Sequence, residues 1–396
     1  MVMPHTPIPS YGRIPLIDTI RGFALCGIIF ANLMSFFGFY SLNYAQISQL
    51  PFADRATLFV IDWLVEGKFY TVFAILFGAG FTLLHGQKQG ADFASYWRRR
   101  MGVLLFIGLI HMFFIWHGDI LVLYSLLGMT LPWFMRLSAP RLLFIALTLL
   151  LIPLLIHLMA IISKDADFWS ALKWIALGLK SNLGYEHTSL LSMRTSTEFM
   201  DVFVANIYSA IPRPMSYLIT GRPFQVLGQF LLGIYFVKTF MKQGRINMTI
   251  SWQTIAFLAT TGLLLNLVYA VIKAMTGSPF SLNLIGLIQG VCYHLGCLFL
   301  ALTYLACLVK FIDKCHRKVA LGLNTLGRMS LTIYLMQTTL CVMLFYGYGL
   351  ALMNTLPFYL IGVFGAVILA AQVSFGLWWL NQFRQGPVEM MWRKAL

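Results

Sequence analysis

The stretch LIDTIRGFALCGIIFANL, Leu16 to Leu33, is apolar for long enough to cross a bilayer, and comparable runs recur along the whole 396-residue chain. A helix needs about 20 such residues per crossing. On that measure, spans are expected near 16–40, 57–86, 102–117, 119–137 and 141–162. A second set is expected near 216–240, 251–272, 283–310, 329–348 and 357–382. The pattern predicts an all-α polytopic membrane protein, a bundle of about ten helices embedded in the lipid bilayer. It divides the chain into an N-terminal membrane region (1–162), an external loop with interfacial helices (163–215) and a C-terminal membrane region (216–396).

With 59% hydrophobic and 10% charged residues and a mean hydropathy of +0.80, the composition excludes a soluble globular domain. The net charge of +15 does not call for nucleic acid, because the basic residues fall in short connections between apolar runs. Lys88 with Arg98, Arg99 and Arg100 follows the second run, Arg136 and Arg141 the fourth, and Lys238, Lys242 and Arg245 the sixth. Lys310, Lys314, Arg317 and Lys318 follow the eighth, and Arg384, Arg393 and Lys394 close the chain. The connections after the third and ninth runs hold no lysine or arginine. Basic loops stay in the cytoplasm, so both termini are expected there. The six cysteines show no C-x-x-C pair or metal-ligand spacing, so no disulfide framework or metal site is predicted. The first run is too long for a signal-peptide core and lacks a small-residue cleavage site, so it is expected to remain as the first span.

Two stretches depart from the simple pattern. Glu66, Gly67 and Lys68 interrupt the second run, which is longer than one crossing needs, so Arg55 to Val65 is expected along the outer interface. The 163–215 segment mixes Trp169, Lys173, Trp174, Glu186, His187 and Arg213 with short apolar pieces and is expected to cover a cavity.

Polar side chains at membrane depth cost a few kcal/mol each unless paired or solvated, so each needs a reason. Asp18 and Arg21, three residues apart, pair along one helix face, and Asn32 lies on the same face three turns further, roughly 16 Å deeper. In LIHMFFIWHGDILVLYSLLG, His111 lies at the depth of Asn32, and the two are expected to meet across helices. Asp119 is placed to cap the following helix, with Tyr124 beyond it. His111 reads as a satisfied packing residue or as a proton-transfer group. GRMSLTIYLMQT contributes Arg328 at the inner end and Thr332, Tyr334 and Gln337 within the span, while Gln229, Asn266, Gln289 and His294 read as helix-to-helix glue or cavity wall. Gly78 and Gly80 read as close-packing positions or a kink, and FRQGPVEMMWRKAL as an amphipathic helix on the inner surface. No P-loop, dinucleotide fingerprint, H-E-x-x-H or nucleophile-elbow motif is present in the sequence.

The motifs IDTIRGFALCGIIFAN, FYTVFAILFGAGF, HMFFIWHGDILVLYSLLG, GRMSLTIYLMQT and FRQGPVEMMWR, in this order, resemble the YeiB family of bacterial inner-membrane proteins. The C-terminal half of that family is catalogued as a domain of unknown function. The resemblance implies an inner-membrane location and loosely suggests transport. The opening D-x-x-R-G helix is also distantly similar to that of the transmembrane acyltransferases, including the acyltransferase-3 proteins and the lysosomal heparan-glucosaminide N-acetyltransferase. These carry a histidine or asparagine eleven positions after the arginine, a place held here by Asn32. This resemblance implies transfer of an acyl group from cytoplasmic acyl-CoA, as co-substrate with no bound cofactor, to an envelope acceptor. The heparan enzyme's histidine falls at Asn43 here, so His111 has to serve instead. The catalytic set expected on this basis is His111, Asn32, Asp119 and Tyr124. Asp18, Arg21, Arg328, Gln337 and Tyr334 are expected to bind the small-molecule or lipid-linked substrate, with the Arg98 to Arg100 cluster attracting phosphates. The competing expectations are a transporter or exporter of a small polar or lipid-linked solute and a non-catalytic envelope partner.

Overall fold

A computed structural model of the chain describes residues 14–87, 92–163, 188–242, 245–246, 250–277 and 280–395. The first half holds α1 (Pro15–Phe36), α2 (Tyr44–Ser48), α3 (Phe52–Leu64), α4 (Lys68–Gln87), α5 (Phe93–Ile110), α6 (Leu121–Gly128), α7 (Leu131–Phe134) and α8 (Ala139–Ser163). Then follow α9 (Leu190–Arg194), α10 (Phe199–Ala210), α11 (Arg213–Thr220), α12 (Arg222–Phe240), α13 (Trp252–Thr276) and α14 (Leu284–Phe311). The chain closes with α15 (Arg317–Arg328), α16 (Ser330–Phe345), α17 (Ile361–Gln382) and α18 (Pro387–Lys394). The described residues are helical apart from turns and a two-residue antiparallel ladder, Met241–Lys242 with Arg245–Ile246.

Six helical stretches are long and apolar enough to cross a membrane, or seven if α15 and α16, which meet at 90°, form one broken span. The count of ten is therefore not reached on length and apolarity among the described residues. The reasons are local. Three arginines, Arg98 to Arg100, dilute α5, and Arg222, Gln225 and Gln229 dilute α12. The expected 119–137 run is divided between α6 and the four-residue α7. The second run still counts as one stretch, Phe52–Gln87, although it breaks at Gly67, whose φ of +82° suits glycine, into α3 and α4, as the Glu66–Lys68 interruption predicts. Lys88 and residues 164–187, with Trp169, Lys173, Trp174, Glu186 and His187, lie outside the described residues.

α1 is the central element: its apolar window is 78% buried, against 11% for α8 at the periphery. Pro15 opens α1 with a preset φ, Asp18 complements the first-turn dipole, and Gly38 at φ +89° follows its end. α1 packs on α4, α15, α16 and α17, while α4 also packs on α12. Two glycine seams set these distances. A Cβ on Gly22 would lie 1.9 Å from the Leu323 carbonyl oxygen, and one on Gly327 would lie 1.7 Å from that of Asp18. Gly78 and Gly233 do the same for α4 and α12, each 1.9 Å from a carbonyl oxygen of the other helix. Backbone meets backbone at these seams, which brings the D-x-x-R-G and G-R motifs to one end of α1.

Candidate functional site

Two polar cavities lie toward opposite ends of α1. The first, about 500 Å³, opens where α1 begins and is lined by Asp18, Arg21, Arg100, Arg328, Arg393 and Glu389, with Tyr124 and Tyr334 at its deep end. Both carboxylates are engaged. Asp18 Oδ1 pairs with Arg21 Nη1 at 3.2 Å, as the three-residue spacing predicts. Glu389 of α18 reaches the start of α16, where Oε1 accepts from Leu331 N at 2.8 Å and Thr332 N at 3.2 Å, and Oε2 from the Thr332 hydroxyl at 2.5 Å. Thus the C-terminal helix docks into the break between α15 and α16, and Trp392 stacks under Arg100, whose guanidinium is 3.8 Å from the ring centroid. The rim is left with an excess of arginines, a surface suited to phosphate. Arg98 and Arg99 point outward and are exposed.

The second cavity, about 430 Å³, lies toward the other end of α1 and is lined by Asn32, Tyr70, Glu66, His117, Arg213 and Arg222, among others. The Tyr70 hydroxyl donates to Asn32 Oδ1, and the Tyr124 hydroxyl to the Tyr70 carbonyl at 3.4 Å. Of the expected wall residues, Gln229 and His294 line this cavity. Asn266 and Gln289 are occupied elsewhere, with Gly262 O and Phe280 N. The described part of the 163–215 segment folds over the turn after α5. Asn206 Nδ2 donates to the Phe113 and Ile115 carbonyls, Arg213 to the His117 carbonyl, and Arg194 Nη2 lies 3.3 Å from His117 Nε2. Burial, with the guanidiniums of Arg194 and Arg213 beside it, holds the His117 ring well below the usual histidine range.

Tyr124 lines both cavities, and a histidine–carboxylate pair packs against Tyr334, which shares the deep end of the first cavity with Tyr124. His111 begins a single turn of π-helix (His111–Ile115) that continues α5, and its Nδ1 is 2.8 Å from Asp119 Oδ2. Such turns within α-helices recur at functional sites because they re-aim a side chain. Both residues are buried, at 1% and 2% exposure. Asp119 Oδ1 accepts from Val122 N at 2.8 Å, so the carboxylate caps α6 with one oxygen and orients the imidazole with the other. His111 Nε2 is buried and makes no hydrogen bond to a described residue. The ring packs on Tyr334, with centroids 5.3 Å apart, and the Tyr334 hydroxyl accepts from Ile120 N at 3.3 Å.

The placement of the expected residues is uneven. Asp18, Arg21, Arg328 and Tyr334 gather at the first cavity, Asn32 lies in the second, and Tyr124 in both. Asn32 and His111 do not meet by hydrogen bond. Ile120, next in sequence to Asp119, lines the second cavity with Asn32 while its N–H donates to the Tyr334 hydroxyl. His111 and Asp119 line neither cavity and reach the first through Tyr334. Gln337 lines neither cavity: it donates to Leu25 O at 3.3 Å and to Gln372 Oε1 at 3.2 Å, in the seam between α16, α1 and α17, and its buried Oε1 has no hydrogen-bond partner among the described residues.

Sequence reasoning missed Arg222, Tyr70 and the buried ionic group at the α3–α4 break. There Lys273 Nζ pairs with Asp62 at 2.6 Å, wholly buried Lys68 donates to the Asp62 carbonyl at 2.6 Å, and Glu66 accepts from Tyr293 at 3.2 Å. The interruption by Glu66 and Lys68 was the available signal for that group. Arg222 follows the helix-breaking Gly221, a cue to a turn but not to a cavity.

The family model described as "Protein of unknown function (DUF418)" matches residues 236–396. The matches to whole proteins extend further. The chain is 27% identical to "Uncharacterized protein YxaH" of Bacillus subtilis (strain 168), over 98% of this chain and 95% of that protein. It is also 27% identical to "Uncharacterized protein YeiB" of Escherichia coli (strain K12), over 96% and 94% respectively. These matches support a YeiB-like family of uncharacterised proteins for this chain. A further relative, "Uncharacterized 39.9 kDa protein in amylase 3'region" of Bacillus acidopullulyticus, is 25% identical over 98% of the chain and 94% of its own length. No solved structure matches the chain. The YeiB-like match runs through both cavities, since it extends well beyond the DUF418 region to nearly the whole sequence.

Proposed function

We propose that this YeiB-like protein is a transmembrane acyltransferase of the bacterial inner membrane, crossing it about ten times with both termini in the cytoplasm. The arginine-lined cavity then faces the cytoplasm, because the basic connections lie at the same end of α1. Arg21, Arg100 and Arg328 hold the phosphates of acyl-CoA there, and the acyl group extends toward Tyr334 and Tyr124. The acceptor enters from the second cavity, past Asn32 and Tyr70.

The observation that carries this reading is the junction at Tyr124, shared by both cavities, beside a buried His111–Asp119 pair with Nε2 unengaged. In the reaction the acceptor hydroxyl attacks the thioester carbonyl, forming the C–O bond as the C–S bond breaks. His111 Nε2 takes the hydroxyl proton and passes it to the departing CoA thiolate, with Asp119 stabilising the transient imidazolium. Nε2 reaches the substrate only if the Tyr334 ring shifts, so ring movement is part of the proposal.

A transporter is favoured by one observation, the thinness of a wall in which one residue, Tyr124, faces both sides. The test is release of free CoA thiol by detergent-purified protein, with donors from acetyl-CoA to palmitoyl-CoA and an envelope extract as acceptor. Thiol release that depends on both donor and extract supports transfer. No release with any donor, together with solute uptake into proteoliposomes, selects transport.

A further inference from the structure

The second cavity holds a pair of guanidiniums, neither of them within ion-pair distance of a carboxylate among the described residues. Arg213 and Arg222 stand on either side of the Gly221 turn, and both lie over the Tyr217 ring, 5.3 and 5.4 Å from its centroid. The turn fixes this convergence. Gly221 has φ +66°, and a Cβ there would come within 2.8 Å of the Pro153 backbone, so α11 ends and α12 begins with little freedom between them. Arg213 Nε donates to the Tyr217 hydroxyl at 2.6 Å, which directs the rest of its guanidinium into the cavity region. Among the described residues, no carboxylate lies within ion-pair distance of either arginine.

Glu66 is the acidic residue of the cavity lining: its Oε1 accepts from the Tyr293 hydroxyl and its buried Oε2 has no hydrogen-bond partner among the described residues, while Lys273 and Lys68 are taken up by Asp62. The histidines of the wall add no negative charge, and His157 Nε2 and His294 Nδ1 are buried without a protein partner in the same cavity. Two guanidiniums against the single Glu66 carboxylate leave the cavity with an excess of positive charge among tyrosines and amides, a costly arrangement unless a further anion joins them.

We infer that the second cavity is an oxyanion site: it binds a phosphate- or carboxylate-bearing ligand between Arg213 and Arg222. Tyr217 keeps the two guanidiniums spaced and desolvated, the geometry that strengthens charge-assisted hydrogen bonds to an oxyanion. The inference rests on the cavity's own charge. It also deepens the transfer reading, by making the acceptor an anionic molecule whose hydroxyl lies toward Asn32 and Tyr124.

The experiment measures binding without any acyl donor. Purified protein in neutral detergent is titrated with inorganic phosphate, and separately reconstituted in nanodiscs of phosphatidylcholine with or without phosphatidylglycerol, with thermal unfolding as the readout and chloride matched for ionic strength. Phosphate is expected to stabilise the wild type saturably, and Arg222→Gln to weaken the apparent Kd about tenfold, the loss of one charge-assisted contact. Arg222→Lys keeps the charge and is expected to retain part of the binding, which separates the effect from misfolding. The control Arg384→Gln, at the far end of the molecule, is expected to bind as the wild type does. Stabilisation by phosphatidylglycerol and not by phosphate identifies a lipid-borne anion and also supports the site when Arg222→Gln abolishes it. Equal stabilisation of wild type and Arg222→Gln, or none by either anion, overturns the inference. If binding holds and no acyl transfer is found, the transfer reading fails alone. If Arg222→Gln loses anion binding while transfer proceeds unchanged, the site stands and the identification of its ligand with the acceptor fails alone.

Discussion

Asp119 divides its two carboxylate oxygens between two tasks: Oδ2 lies 2.8 Å from Nδ1 of His111, and Oδ1 accepts the Val122 N–H at 2.8 Å. Structural and chemical roles thus meet in one side chain, and substitution can separate them. Asparagine keeps an oxygen for the cap but presents an amide to Nδ1, which forces the imidazole proton onto Nε2. Asp119→Asn is therefore expected to unfold close to the wild-type temperature while acyl transfer drops by about 10²-fold or more. Asp119→Ala loses the cap as well, at about 1 kcal/mol. Thermal unfolding and CoA thiol release, measured side by side, distinguish the two. An Asp119→Asn protein that transfers at the wild-type rate removes the pair from the mechanism.

The seam between α1 and α15 predicts a sharp contrast between glycines. In Gly327→Ala the new methyl would lie 1.7 Å from the Asp18 carbonyl oxygen, so the helices must part, at a cost of about 1–3 kcal/mol. Gly102, within α5, has nothing within 4 Å of the same construction, and alanine there is expected to be neutral or stabilising by up to about 1 kcal/mol. Denaturation in matched detergent reads the difference. Equal effects of the two substitutions would show that the seam is not as tight as described.

His117 gives the fold a pH dependence. Its folded-state pKa is depressed by burial and by Arg194 and Arg213, so the unfolded chain binds the proton more readily. The stabilising contribution is complete above about pH 6.5, the unfolded histidine value, and is lost as pH falls toward the folded pKa. Unfolding temperature is expected to decline between about pH 6.5 and 5, and His117→Gln to flatten part of that decline. Identical pH profiles for the two proteins would remove His117 from the account.

Glu389 ties the C-terminal helix to the start of α16 through three hydrogen bonds. Glu389→Ala is expected to cost about 1–2 kcal/mol and to expose α18 to limited proteolysis. Because Trp392 and Arg393 line the first cavity, donor binding is expected to weaken as well. Unchanged protease resistance would argue against the docked arrangement.

What was legible in the sequence followed from short-range geometry. The Asp18–Arg21 pair, the Asp119 cap and the packing role of Gly78 depend on residues within a turn of one another or on the absence of a side chain, and spacing reports both. Long-range registration was less accessible. Depth counting set Asn32 and His111 face to face, whereas Asn32 pairs with Tyr70 in the second cavity and His111, at the start of the π turn, pairs with Asp119. Hydropathy counted ten runs because it sums over residues, and so could not register that the 119–137 run is divided between α6 and the short α7. The Arg213–Arg222 pair was hidden for another reason: the two residues belong to different helices and converge only through the Gly221 turn.

The central claim is that the junction at Tyr124, served by His111, passes an acyl group between the two cavities. The most direct test uses inside-out membrane vesicles containing equal amounts of wild type or His111→Ala, given acyl-labelled CoA, with label counted in the extracted envelope fraction. The account predicts label in the wild-type fraction and a loss of about 10²-fold or more in His111→Ala. Equal labelling by the two proteins, or no labelling above empty vesicles with any donor, would contradict it.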